Sequence, residues 1–225
     1  MACLVVAGGV AVLASGCGDG SKGAAAELPP TVSLWTITPQ SDFRQVNDGA
    51  KLALSQAHGR AGKFRINYSA REVSDDEPQG TTDALAAARM TLQDTQSSAM
   101  LTSVADAPAR QAITLLNEAG IGTVALGDAA LKTAVCSPAS NFYPNGRATA
   151  IVVDPDATVP GAWGELFRST YGIAPTDTAY RAYLGAQAYL HALAAPGVAT
   201  DNSPPRLNRD ALAAALVSAA RGACA

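Results

Sequence analysis

The sequence predicts an α/β fold, a doubly wound parallel sheet flanked by helices, and three observations lead to it. A strand, a helix and a second strand follow one another between Ser98 and Leu126. The same alternation occurs upstream of that unit, from Thr31 onward. The connections are short, so parallel neighbours must be joined through the helices, and such sheets need helices on both faces.

In the central unit, Ser98-Ala-Met-Leu-Thr-Ser-Val-Ala105 is a short apolar run with large and β-branched residues, the composition of a buried strand, and it stops at Asp106. Asp106 is a helix-capping residue and Pro108 falls in the first turn, where its missing N–H costs nothing. Ala109, Ala112, Ile113, Leu116 and Ala119 then recur at helical spacing until Gly120, and Ile121–Leu126 reads as the next strand. Upstream, Thr31–Ile37 forms a first strand, and Thr38-Pro-Gln-Ser-Asp42 is a polar loop of turn and cap residues. Phe43, Val46, Ala50, Ala53, Leu54 and Ala57 make a helical stripe ending at Gly59. Phe64–Val73 is the second strand, Ser74–Gly80 a solvated acidic turn, and Thr82–Thr95 a helix with Leu85, Ala88 and Leu92 on one face. Strands and helices in this order specify strand order 2-1-3-4. Beyond Val159 the pattern is helical: Ala162–Tyr171, then Thr176–Ala195 with Tyr183, Ala186, Leu190 and Leu193 on one face. A last helix begins near Asn208 and carries Leu212, Leu216 and Ala219.

With 225 residues, 48% of them hydrophobic, the chain has ample material for a core, and a formal net charge of −3 gives no basic footprint for nucleic acid. His58 and His191 lie far apart with no cysteine pair nearby, so neither a metal site nor a cofactor is expected. No nucleophile elbow or dinucleotide phosphate loop occurs, since Gly120-Ile-Gly122 follows a helix instead of opening one. Binding without catalysis is the expected activity. Trp35 is expected in the core.

The amino terminus carries an uncharged apolar stretch, Ala2–Ser15, too short to span a bilayer and about the length of a signal-peptide core. It ends in Leu13-Ala-Ser-Gly-Cys17, which resembles a bacterial lipobox, although an ordinary signal peptide followed by a chance cysteine fits the same residues. The lipobox implies residues 1–17 as signal peptide, Cys17 as the lipidated residue, and residues 18–30 as a flexible Gly/Ser/Ala tether to the outer face of a bacterial membrane. No Lys or Arg precedes the apolar core, which points to a true start upstream of Met1. Residues 31–225 form the single globular domain. After removal of Cys3 and lipidation of Cys17, an exported chain keeps Cys136 and Cys224, which are expected to pair, the other outcome being two free thiols.

Several strings, in order across nearly the whole globular part, resemble the type I periplasmic solute-binding proteins for leucine, isoleucine and valine that serve ABC transporters. They are Gly49-Ala-Lys-Leu-Ala53, Asp75-Asp76 with Pro78 and Ala84-Leu-Ala-Ala-Ala-Arg89, Asn117-Glu-Ala-Gly-Ile121, Phe142-Tyr-Pro-Asn-Gly-Arg147 with Val152-Val-Asp-Pro-Asp156, and Phe167-Arg-Ser-Thr-Tyr-Gly172 with Pro175 and Ala182-Tyr183. The resemblance implies a solute-binding component working with an ABC permease. It also implies a two-lobed fold, yet here Val159-Pro-Gly-Ala162 runs directly into the helices that return to the first lobe, so about one lobe is expected. Val152–Asp156 falls where the family crosses between lobes.

The family's solute-holding hydroxyls are replaced: Asp106 and Ala107 stand at its serine pair, Ala125–Ala129 at a later hydroxyl position, and Leu184 at an acidic one. Ligands in parallel sheets collect at the carboxyl ends of strands, so Thr38, Gln40, Ser41, Asp42, Ser103 and Asp106 are the residues expected to face a small polar solute. A carboxylate at Asp106 would favour a cationic or neutral solute over free leucine. The alternative function is an envelope lipoprotein whose exposed lobe face binds a protein partner or a second copy of itself.

Overall fold

Runs that are apolar on both faces become strands covered on both faces. The computed structural model of the protein describes residues 29–103, 107–127, 150–153 and 156–222. Its elements are β1 (Thr31–Pro39), α1 (Phe43–Gln56), β2 (Arg60–Ala61), β3 (Phe64–Val73), α2 (Gln79–Gln93), β4 (Ser97–Thr102), α3 (Ala107–Glu118), β5 (Gly122–Leu126), β6 (Ala150–Val153), α4 (Gly161–Tyr171), α5 (Asp177–Leu193) and α6 (Arg209–Gly222). Asp106, Cys17, Cys136, Cys224 and the expected signal peptide lie outside the described residues, as does the expected tether up to residue 28.

The strands form one sheet in the order β2-β3-β1-β4-β5-β6. All neighbours are parallel except the β2–β3 hairpin. Its centre, β3-β1-β4-β5, is the expected 2-1-3-4 order. The sheet extends further than the sequence indicates, because residues 150–153, which reach into the Val152–Asp156 string, pair with β5 as a fifth parallel strand.

Alternate side chains of β1 divide the core in two. Val32 and Leu34 pack with α1, α5 and α6, in a layer that includes Val46, Ala50, Tyr189, Leu193, Leu212 and Leu216. Trp35 and Ile37 pack beneath α2 and α3 with Ala88, Ile113 and Leu116. Trp35 is therefore a core residue, and its indole N–H donates to Asp94 Oδ2 at 3.0 Å. Burial disfavours the charge on Asp94, but donors that include the Gln96 amide and that indole outweigh it and hold the carboxyl below its ordinary range.

Small residues set how closely α5 approaches its neighbours. Its buried face consists of Ala179, Ala182, Gly185, Ala186, Tyr189, Ala192 and Leu193. Tyr183 and Leu190, expected to point inward, are only half-buried. The helix is turned to present its alanines and glycine because they admit a closer crossing than larger side chains would. A Cβ on Gly185 would lie 2.9 Å from Leu126 Cδ2, and one on Gly49 in α1 would lie 2.1 Å from the Ala179 carbonyl oxygen. The returning segment is also pinned by polar groups. Gln45 donates to the Ala174 carbonyl at 3.1 Å and accepts from the Thr176 N–H at 3.1 Å, and Asp177 accepts from the Val159 N–H at 3.0 Å.

A buried hydroxyl relay ties α5 to the sheet. Ser98 Oγ donates to the Ser33 carbonyl at 2.8 Å, which uses its single proton, so the Tyr189 hydroxyl 2.7 Å away must donate to Ser98. Complete burial pushes the Tyr189 pKa upward and keeps the phenol neutral. Tyr189→Phe removes that donor at almost constant volume and is expected to cost about 1–2 kcal/mol. Urea denaturation measures it, and an unchanged midpoint would show that the relay contributes nothing.

Candidate functional site

Because β1, β3, β4 and β5 run parallel, their carboxyl ends share one edge of the sheet, and the loops that follow them build a polar cluster there. The β1–α1 turn is held against β3: the Gln40 N–H donates to the Val73 carbonyl at 2.9 Å, and the Asp42 N–H donates to the Pro39 carbonyl at 3.1 Å. Asp75, in the turn after β3, clamps Ser41. It accepts from the Ser41 N–H at 3.0 Å and from the Ser41 hydroxyl at 2.8 Å. On the neighbouring pair of strands, Thr38 at the end of β1 and Ser103 just beyond β4 share a side-chain hydrogen bond. Thr38 is fully buried, so its hydroxyl positions Ser103, which is itself half-buried.

Asp42 occupies the position before α1 but makes no side-chain capping bond. Its carboxyl is raised above the ordinary value by burial first and by the adjacent Asp75 second, with the positive charge of Arg181 pulling the other way. Arg181 lies in the first part of α5, which runs antiparallel to the strands and so brings its amino-terminal turns to the carboxyl edge. It reaches past Gly127, whose φ of +79° and missing side chain make room; a Cβ there would lie 2.7 Å from Arg181 Nη1. Arg181 Nε is buried without a hydrogen-bond partner, and the guanidinium forms no ion pair with a described residue. The edge thus brings a guanidinium whose buried Nε lacks a hydrogen-bond partner into electrostatic range of the partly buried Asp42 carboxyl.

Of the residues expected to face solute, Thr38 joins Ser103, and Gln40, Ser41 and Asp42 form one turn beside them. Gln40 is exposed at the rim. Asp106 lies outside the described residues. Sequence reasoning missed Arg181, because an arginine on a helix reads as a solvated face, and it read Asp75 as part of a solvated turn. Ala125, at a family hydroxyl position, is buried beneath α2 and α3. Leu184 is half-buried against the other layer.

The charge on Asp42 has a stability consequence. Its folded pKa exceeds the unfolded value, so the folded state binds the proton more tightly, and stability falls as pH rises through the interval between the two values. Asp42→Asn removes this effect. The variant is expected to melt above wild type at neutral pH, with the gap closing as pH drops below the ordinary carboxylate value of 3.8. A gap that stays constant with pH would refute the assignment.

No family model matches the chain, and no curated protein does. Solved structures do share its fold. A protein provisionally named as a branched-chain amino acid ABC transporter from Rhodospirillum rubrum is similar with a TM-score of 0.58 at 12% identity, covering 84% of this chain and 89% of the other. A branched-chain amino acid ABC transporter periplasmic ligand-binding protein from Burkholderia xenovorans LB400 gives 0.55 at 11% identity, over 84% and 82%. A leucine binding protein from Thermotoga maritima MSB8 gives 0.54 at 13% identity, over 82% and 87%. At these identities the likeness establishes the fold: one lobe-sized α/β unit of the type I periplasmic-binding-protein kind.

Proposed function

We propose that the protein is an extracytoplasmic solute-binding lipoprotein, related to the substrate-binding components of branched-chain amino-acid ABC transporters, that takes a small zwitterionic solute at the carboxyl edge of its sheet. The observation that carries this reading is the Asp42–Arg181 juxtaposition. In this reading the Arg181 guanidinium, whose buried Nε has no hydrogen-bond partner, meets the solute's carboxylate and Asp42 accepts from its ammonium group, with the Thr38–Ser103 pair at the ends of β1 and β4. The cationic preference expected from Asp106 alone did not include Arg181, whose positive charge favours a solute bearing both signs. The fold neighbours' names supply the transport context, with an ABC permease as partner. Cys17 is the proposed site of lipid attachment, and Cys136 and Cys224 the proposed disulfide.

One lobe leaves a bound solute wet on its far side, so affinity is modest, on the order of 0.1–1 mM for leucine or a similar amino acid, or about −4 to −5.5 kcal/mol. Titration calorimetry tests this with three ligands. Leucine is expected to bind, whereas leucine methyl ester, lacking the carboxylate, and N-acetyl-leucine, lacking the ammonium, are expected not to. Equal binding of all three, or none by leucine and other free amino acids, rejects the zwitterion site and leaves the protein-interaction reading.

A further inference from the structure

The small net charge conceals a separation of charge along the strand axis. The carboxyl edge carries Asp42, Glu72, Asp75, Asp76 and Glu77 against Arg71 and Arg181. At the opposite edge, where the chain enters β1, basic residues gather. The Arg65 N–H donates to the Pro30 carbonyl at 2.9 Å, and Arg60 is paired across the β2–β3 hairpin with Arg65. Lys63 lies in the same hairpin and forms an exposed ion pair with Asp201 at 3.5 Å. Beside them a cavity of about 310 Å³ is lined by Pro30, Thr31, Phe64 and Gln96 together with Arg206 and Arg209.

Four acids share this edge with the five basic side chains and offset most of their charge, but among the described residues they leave three arginines unpaired. Asp94 is turned inward onto Trp35 and Gln96, and Asp201 faces Lys63 at a separation and exposure that make the pair weak. Asp210 sits next to Arg209, and Glu118 lies at the end of α3. Arg60, Arg65 and Arg206 are exposed and form no ion pair with any described residue. Among the described residues this edge therefore carries a small excess of positive charge, concentrated on Arg60, Arg65 and Arg206, and it is the edge at which β1 begins.

We propose that this edge rests on anionic phospholipid headgroups, with Arg60, Arg65 and Arg206 against the lipid phosphates and the solute edge turned away from the membrane. The proposal rests on the anchored reading for its setting. Residues 18–30 separate the proposed anchor at Cys17 from the start of β1, so the edge at which β1 begins is the one nearer the anchor along the chain. Charge complementarity supplies the orientation. Each basic side chain near an anionic surface strengthens association by roughly fivefold, and the attraction fades beyond a Debye length of about 10 Å at 0.1 M salt, so only groups at the facing edge contribute.

Hydrogen exchange of the full chain, alone and with vesicles, reads this directly. On phosphatidylcholine vesicles containing phosphatidylglycerol, amides in residues 60–65 and 199–209 are expected to exchange severalfold more slowly than on phosphatidylcholine alone, while residues 38–42 and 72–77 stay unchanged. The triple variant Arg60→Gln, Arg65→Gln, Arg206→Gln is expected to lose that protection and to require at least tenfold more anionic lipid. The double variant Arg44→Gln, Arg71→Gln, which removes positive charge remote from this edge, is expected to behave as wild type. Protection equal at both edges, protection indifferent to phosphatidylglycerol, or an equal loss in the double variant overturns the proposal. Lipid attachment at Cys17 is read separately by mass on the exported protein, so failure of the anchor and failure of the basic edge give different results.

Discussion

Gly49→Ala is expected to destabilise the protein by about 3 kcal/mol, a large part of the 5–15 kcal/mol that holds an ordinary domain together. The added Cβ would lie 2.1 Å from the Ala179 carbonyl oxygen and 2.9 Å from its carbon. Both are backbone atoms in the first turn of α5, so relief requires a whole helix to shift. That helix also carries the Tyr189 relay and the Gly185 contact with β5, and any shift disturbs them together. Gly161→Ala is the matched control, because nothing lies within 4 Å of its added Cβ at the start of α4. It is expected to be neutral or slightly stabilising, since alanine is the better helix former. Thermal and urea denaturation of the three proteins give the comparison. A Gly49→Ala variant within about 1 kcal/mol of wild type would show that α1 and α5 do not cross at this distance.

Arg181→Met is expected to weaken amino-acid binding by at least tenfold, to beyond detection for a site already in the millimolar range, because a charge-assisted hydrogen bond contributes about 1.5–3 kcal/mol. Stability is expected to hold or rise. Methionine keeps most of the aliphatic stem, and the substitution removes a buried Nε that has no partner. Loss of binding with stability retained separates a role in recognition from a role in the scaffold. If Arg181→Met instead unfolds the protein and Arg181→Lys restores folding without restoring binding, the residue is structural and the zwitterion site is wrong.

The sheet was legible in the sequence because buried parallel strands write themselves as short apolar runs, and because helices between them force the crossovers. β6 was not, since residues 150–153 are only a four-residue run, which local pattern cannot separate from a connection. The inward face of α5 was misjudged for a related reason. Tyr183 and Leu190 carry the larger apolar signal, but close approach is decided by the small residues Ala182, Gly185 and Ala186, which hydropathy ranks low. The string Gly49-Ala-Lys-Leu-Ala53 was visible as a resemblance, while the steric reason for its glycine depends on α5, about 130 residues downstream. The residues of the candidate cluster followed the same division. Ser41 and Asp42 were readable from the rule that ligands gather at strand ends, whereas Arg181 enters the cluster only because a distant helix runs antiparallel to the sheet.

The division of the core by β1 leaves one indole on each side of the sheet. Trp35 lies beneath α2 and α3, hydrogen-bonded to Asp94, and Trp163 lies on the other side among Phe167, Tyr180 and Tyr183, with ring centroids 4.9–5.4 Å away. These are the chain's two tryptophans. Trp163 lies within energy-transfer range of the tyrosines around it, whereas among the described residues Trp35 has no ring contact, so the two indoles sit in different aromatic surroundings. Each layer of the molecule thus carries its own built-in fluorophore, and replacing one tryptophan by phenylalanine leaves an emission that follows the helices on the other side of the sheet.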